Sequence, residues 1–160
     1  MRTLGIVGGI SPESTIDYYR RIIAAYRAAR PDGSCPKILI NSIDMSRLLA
    51  LAGANNLSAM ADHLSQEVSV LARAGATVAL FASNTPHLVF DAVQKQSEIP
   101  LLSIVEATCS AAKASGLRRV GLLGTKFTMQ SGFYGKVFGA QGISVVPPQP
   151  EVGIPGDRDR

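Results

Sequence analysis

Residues 3–29 read TLGIVGGISPESTIDYYRRIIAAYRAA, and they decide the fold. Leu4 to Val7 is a short apolar run that stops at Gly8-Gly9, the pattern of a strand closed by a glycine turn. Pro12 to Ala29 then reads as a helix. Ser11 stands at its N-cap, Pro12 at its first position and Glu13 in its first turn, where a carboxylate suits the positive end of the helix dipole. Tyr18, Ile22 and Tyr26 recur at helical spacing, as do Ile16, Tyr19 and Ile23. A strand that feeds a helix through a glycine turn is the opening of a β-α unit.

The alternation continues along the chain. Lys37 to Ile40 reads as a second strand after the breakers Pro31-Asp32-Gly33. A loop follows, then an Ala- and Leu-rich helix from about Ser58 to Ala74. Thr77 to Phe81 is the third strand, Asn84-Thr85 a turn, and Pro86 to Gln96 a helix. Leu101 to Ile104, Val120 to Leu123 and Ile143 to Val146 are further strands. Helices over Glu106 to Ser115 and Gln130 to Gly139 separate them. This order predicts an α/β protein with a parallel sheet flanked by helices and right-handed crossovers. Ligands in such sheets bind outside the carboxyl ends of the strands. The stretch 147–160, opening on Pro147-Pro148-Gln149-Pro150, follows neither period and reads as an irregular tail.

Composition narrows the function classes. The 160 residues suffice for one α/β domain, or one domain and part of another. No apolar run is long enough for a membrane helix, and the first apolar stretch is too short for a signal peptide and reads as a strand. The two distant cysteines, Cys35 and Cys109, make a reduced, cytoplasmic chain the expectation. The net charge of +4 is scattered, with Arg118-Arg119 the only doublet in the body. There is no basic stripe interleaved with aromatics, which argues against nucleic acid and membrane as partners. Cys35 and Cys109 lie far apart and make no metal spacing with each other or with His63 and His87, so no metal site is expected.

Three loops after strands carry candidate chemistry, each with a plainer alternative. Gly8 to Thr15 places glycines before a helix N-terminus, a setting for an anion. It is neither a dinucleotide fingerprint nor a Walker loop, and it also reads as a tight turn. Phe81 to His87 places Ser83, Asn84, Thr85 and His87 at a strand end. Asn84 and Thr85 suit a carboxylate, or they cap the next helix. His87 reads either as a buried, hydrogen-bonded residue or as a base. Leu122 to Gly132 adds Thr125 and Thr128, again as binder or cap. The three loops are expected at one edge of one sheet. A short similarity between Ser83-Asn84-Thr85 and Gly124-Thr125 suggests two related halves.

These motifs resemble one family. GGISPEST (8–15) is similar to the GGMGPEAT-like opening of the aspartate/glutamate racemases. FASNTPH (81–87) resembles their CNTAH-like segment, and GLLGTKFTMQSGFY (121–134) their G-T-x-x-T-x-x-S-G-x-Y segment. The resemblance runs over about Thr3 to Pro150. It implies two pseudo-symmetric α/β domains with an acidic amino acid or related carboxylate between them. It implies no pyridoxal phosphate and no other cofactor. It also implies two cysteines that exchange the α-proton from opposite faces. Asn84, Thr85 and Thr125 fall at carboxylate-binding positions, with Ser11 beside them where the family usually has glycine.

Ser83 stands at the first cysteine position. A thiol ionises near pH 8.5, whereas a serine hydroxyl is a far weaker acid and needs an adjacent base. His87, four residues on, is the nearest candidate. The second cysteine position is expected beyond residue 160. The expected organisation is a first domain over 1–103, an incomplete second domain over 104–146 and the tail over 147–160. An impaired isomerase that self-associates, commonly as a dimer in the family, follows. The alternatives are a carboxylate-binding module without chemistry, and a truncated product or one with an engineered Cys-to-Ser exchange.

Overall fold

Strand β1 (Thr3–Gly8) lies between two parallel neighbours in the computed structural model, which describes residues 2–146. It pairs with β2 (Lys37–Ser42) from Thr3↔Lys37 to Gly8↔Ser42. It pairs with β3 (Val78–Phe81) from Leu4↔Val78 to Val7↔Phe81. β4 (Leu101–Leu102) adds to the far side of β3, so the order is β2-β1-β3-β4 and every pairing is parallel. The expected α/β sheet flanked by helices is present. The expected tail over 147–160 lies outside the described residues.

Side chains alternate across β1, so its two faces meet different helices. Ile6 shares a face with Leu80 and Ala82, and helix α1 (Pro12–Ala29) lays Tyr18 and Ile22 on it. The other face meets α3 (Leu57–Arg73), which buries Met60, Leu64, Val68 and Leu71. Gly5 makes room there, since a Cβ at that position would lie 3.1 Å from the Leu71 side chain. Each fully buried aliphatic side chain of this kind stabilises by about 1.5–3 kcal/mol.

The structure departs from the sequence reading in several places. The stretch read as a loop before Ser58 holds a helix, α2 (Met45–Gly53). The Asp44 carboxylate caps it by accepting the Ser46 N–H at 2.8 Å, and Leu48 and Ala52 are buried from it. The helix read over Pro86 to Gln96 is a 3₁₀ turn, Thr85–Val89, followed by α4 (Phe90–Gln96). The helix read over Gln130 to Gly139 is two short helices, α6 (Lys126–Gln130) and α7 (Phe133–Gly139). Gly132 breaks them apart with a φ of +74°.

The chain divides into two compact units, the first ending at Ile104 and the second beginning at Val105, just inside α5 (Ile104–Ala114). In the second unit β5 (Arg119–Gly121) pairs in parallel with β6 (Ser144–Val146), from Arg119↔Ser144 to Gly121↔Val146. Tyr134, Phe138 and Ile143 are buried there. The loop after β5 therefore does not leave the sheet that carries the other two candidate loops. Its strand finds its hydrogen bonds in β6 instead.

Gly9 is the position where this fold tolerates least change. Its φ is +82°, and a Cβ there would overlap the Ile43 backbone oxygen and lie 2.7 Å from Ile43 N and Ser42 Oγ. Gly33 has a similar φ of +77° with nothing within 4 Å of its missing Cβ. Gly9→Ala is expected to cost on the order of 3 kcal/mol and Gly33→Ala about 1 kcal/mol, measured by denaturant unfolding. Equal costs would show that the close approach at Gly9 contributes nothing.

Candidate functional site

Because β1 and β3 run side by side, the segments that follow them leave the same edge of the sheet. Ser11 follows β1, and Ser83, Asn84 and Thr85 follow β3. Thr125 follows β5 and belongs to the second unit.

The glycine loop is built for contact within the protein. Gly9 N–H donates to Thr15 Oγ1 at 3.1 Å, and Thr15 Oγ1 donates to the Ser11 carbonyl at 3.1 Å. Ile43 N–H donates to the Gly8 carbonyl at 2.9 Å. A Cβ on Gly8 would lie 2.5 Å from Thr15 Cγ2. The Gly9 amide, read as an anion donor, is thus already paired, and the close approach of Thr15 explains the glycine at 8. Ser11 occupies the N-cap position in an extended conformation, but its side chain makes no capping hydrogen bond. The Thr15 hydroxyl, inside the helix, instead bridges the Gly9 amide and the Ser11 carbonyl.

The Ser83 loop begins one residue past the ladder, since Ala82 N–H still donates to the Val7 carbonyl. Ser83 and Asn84 are half-buried, and Thr85, Pro86 and His87 are buried. Asn84 sits at the N-cap of the 3₁₀ turn with no side-chain capping bond, so capping does not account for it.

His87 turns inward. Its backbone N–H donates to the Asn84 carbonyl at 2.9 Å, and its ring stacks on Phe90 with centroids 5.0 Å apart and planes 7° apart. Phe81 meets the ring edge-on at 6.3 Å. Nε2 accepts the Ile104 N–H at 3.3 Å. Burial pushes the imidazole pKa down to about 4, against the opposing pull of the Ser83 and Asn84 carbonyls. The ring is therefore neutral at pH 7 and a poor match for a serine hydroxyl. With its acceptor nitrogen on Ile104, His87 does not serve as the base for Ser83.

In the second unit Thr125 Oγ1 accepts the Thr128 N–H at 3.4 Å and lies 3.2 Å from Thr128 Oγ1. Thr125, not Thr128, is thus the cap of α6, and Thr128 is buried. Any ligand contact by Thr125 shares its hydroxyl with that cap. Cys35 is exposed, 3.7 Å from Arg27 Nη2 and ahead of β2, and the Cys109 thiol on α5 is buried and donates to the Val137 carbonyl at 3.9 Å. Among the described residues no group of three metal-ligating side chains exists.

The sequence reading missed one polar cluster. Asn41 Nδ2 donates to the Glu67 carboxylate at 2.8 Å and to the Glu67 carbonyl at 3.2 Å, and His63 Nδ1 lies 3.6 Å from the same carboxylate. It ties the end of β2 to α3. Only the alternation of Asn41 with apolar neighbours hints at it in sequence.

Comparison with known proteins gives a consistent picture. Residues 7–155 match the Asp/Glu/hydantoin racemase family. The chain is 26% identical over 153 residues to the broad specificity amino-acid racemase RacX of Bacillus subtilis (strain 168), covering 89% of this chain and 63% of RacX. It superposes with a TM-score of 0.86 and 37% identity on a Yersinia pestis protein crystallised as a candidate Asp/Glu racemase. An aspartate racemase homologue from Pyrococcus horikoshii OT3 gives 0.83 and 38%. Each superposition covers 94% of this chain and 66% of the other. Picrophilus torridus aspartate racemase shares the fold, with a TM-score of 0.76 at 23% identity, over 94% of this chain and 64% of its own. The chain thus spans just under two thirds of the length of these relatives.

The depressed His87 pKa predicts a pH-dependent stability. Between the ordinary value of 6.5 and about 4 the unfolded chain binds a proton that the folded chain refuses. Stability is therefore full above pH 6.5 and falls as the pH drops toward 4, with a slope approaching about 1.4 kcal/mol per pH unit. Urea unfolding between pH 7.5 and 5 is expected to show this slope, and His87→Gln to flatten it. An unchanged slope in the variant would remove His87 as its source.

Proposed function

Because the chain belongs to the Asp/Glu/hydantoin racemase family, we propose that its first unit holds the carboxylate of an acidic amino acid at the Ser83–Thr85 loop, with proton transfer at the α-carbon impaired. The observation that carries this reading is the loop itself. Ser83, Asn84 and Thr85 leave the carboxyl end of β3 beside the exit of β1, and the Asn84 side chain is not used as a helix cap. Ser11 is a further contact in this reading, and no cofactor takes part.

The impairment follows from acidity. Family chemistry, as the motifs imply it, uses a thiolate to take the α-proton. Ser83 puts a hydroxyl there, and the buried His87 ring is a weak base whose Nε2 is taken by the Ile104 N–H. A site that keeps its donors but lacks an ionisable group binds without turning over. This favours a second reading, a carboxylate-binding module, over full racemase activity for these residues. The partner is a small carboxylate in both readings. No helix among the described residues is long and apolar enough to cross a membrane. Self-association is also proposed, supported by Ile16, Tyr19 and Ile40, which are exposed on α1 and on the edge strand β2.

Calorimetry with L-aspartate and L-glutamate tests the binding. Saturable heat is expected, and Thr85→Ala should weaken the affinity about threefold to tenfold, the worth of one hydrogen bond. Exchange of the α-proton in deuterated water tests the chemistry. The expected rate is that of a buffer blank, rising in Ser83→Cys. Exchange well above the blank that Ser83→Ala abolishes would overturn the impairment.

A further inference from the structure

His87 is a buried titratable group that the proposed chemistry does not use. It is 5% exposed, clamped between two aromatic rings, and it touches the candidate loop and the start of α5 at once. We propose that His87 is a positioning residue: by accepting the Ile104 N–H, its imidazole locks the loop after β3 to the first residue of α5. The inference rests on the carboxylate-binding reading above and assigns the part of the structure that orients that loop.

The argument runs through the peptide planes. In a trans peptide the C=O and the following N–H point in opposite directions. The Ser83 and Asn84 carbonyls face the ring and favour its protonated form, and the Asn84 carbonyl also accepts the His87 N–H. The Thr85 N–H, in the same peptide plane as the Asn84 carbonyl, therefore points away from the His87 amide. A backbone donor of this kind beside a serine suits a carboxylate.

The ring does this only as one tautomer. Nε2 accepts from Ile104, so the proton of the neutral ring sits on Nδ1. Stacking on Phe90 and the edge contact with Phe81 fix the ring plane, so the tautomer and its direction are set together. Leu at this position would fill the space but leave Ile104 N–H without its acceptor. Gln could supply both an acceptor and a donor.

The test uses ¹⁵N-labelled protein as wild type, His87→Leu, His87→Gln and Leu48→Ala. Leu48 is fully buried on α2, so the last variant reports lost packing alone. Long-range ¹⁵N–¹H spectra at pH 7 should show His87 protonated on Nδ1. His87→Leu should speed exchange of the Ile104 amide about tenfold or more, the value of one buried hydrogen bond, and move the Asn84 and Thr85 amide resonances. His87→Gln should restore both, and Leu48→Ala should leave both in place. L-aspartate affinity should fall about tenfold in His87→Leu and stay within about threefold in His87→Gln.

A ring protonated on Nε2 would overturn the proposal. So would unchanged Ile104 and loop amides in His87→Leu, or the same changes in Leu48→Ala. If the tautomer and amide results hold while wild type binds neither L-aspartate nor L-glutamate, positioning stands and the carboxylate reading falls.

Discussion

The carboxyl edge of the first sheet depends on two missing side chains. With no Cβ at Gly8, Thr15 packs directly on the end of β1, and its hydroxyl links the Gly9 amide to the Ser11 carbonyl. With no Cβ at Gly9, the exit of β2 closes on the same turn through Ile43. The first turn of α1 and the exits of β1 and β2 are thereby drawn into one hydrogen-bonded corner. The second unit uses the same device. A Cβ on Gly124 would lie 3.1 Å from the Thr128 side chain, just after β5, the first strand of a parallel pair.

At the β3 exit, burial decides the chemistry. A serine needs a strong base nearby, and the imidazole four residues on has lost basicity because its charged form is cut off from water. The same burial makes that ring a rigid structural part. It is packed against two aromatic rings and bonded to the first residue of α5. A site can keep the groups that orient a carboxylate after the group that moves its proton has changed, because the two tasks fall on different atoms.

Much of the first sheet was legible because period and punctuation agree. Val7 before Gly8-Gly9, Pro12 behind Ser11 and the Tyr18–Ile22 spacing place β1 and α1 where the structure has them. α2 was not legible, since its nine residues carry too little period and its cap is an Asp44 carboxylate bonding only two residues on. The break at Gly132 was hidden because a glycine inside a helical pattern announces itself only through its backbone angle. At the candidate loops, the hydrogen-bond partners of these residues were not legible.

Local pattern alone settled the α/β class, the order of strands and the identity of Ser83 at the strand end, because each depends on neighbours within a few residues. Tertiary structure alone settled that β5 pairs with β6 rather than extending the first sheet, that Thr15 rather than Ser11 ties the glycine corner, and that His87 faces Ile104. Those outcomes turn on contacts between residues distant in sequence or on the direction of a side chain. Desolvation and hydrogen-bond direction exist only once the chain has closed around them.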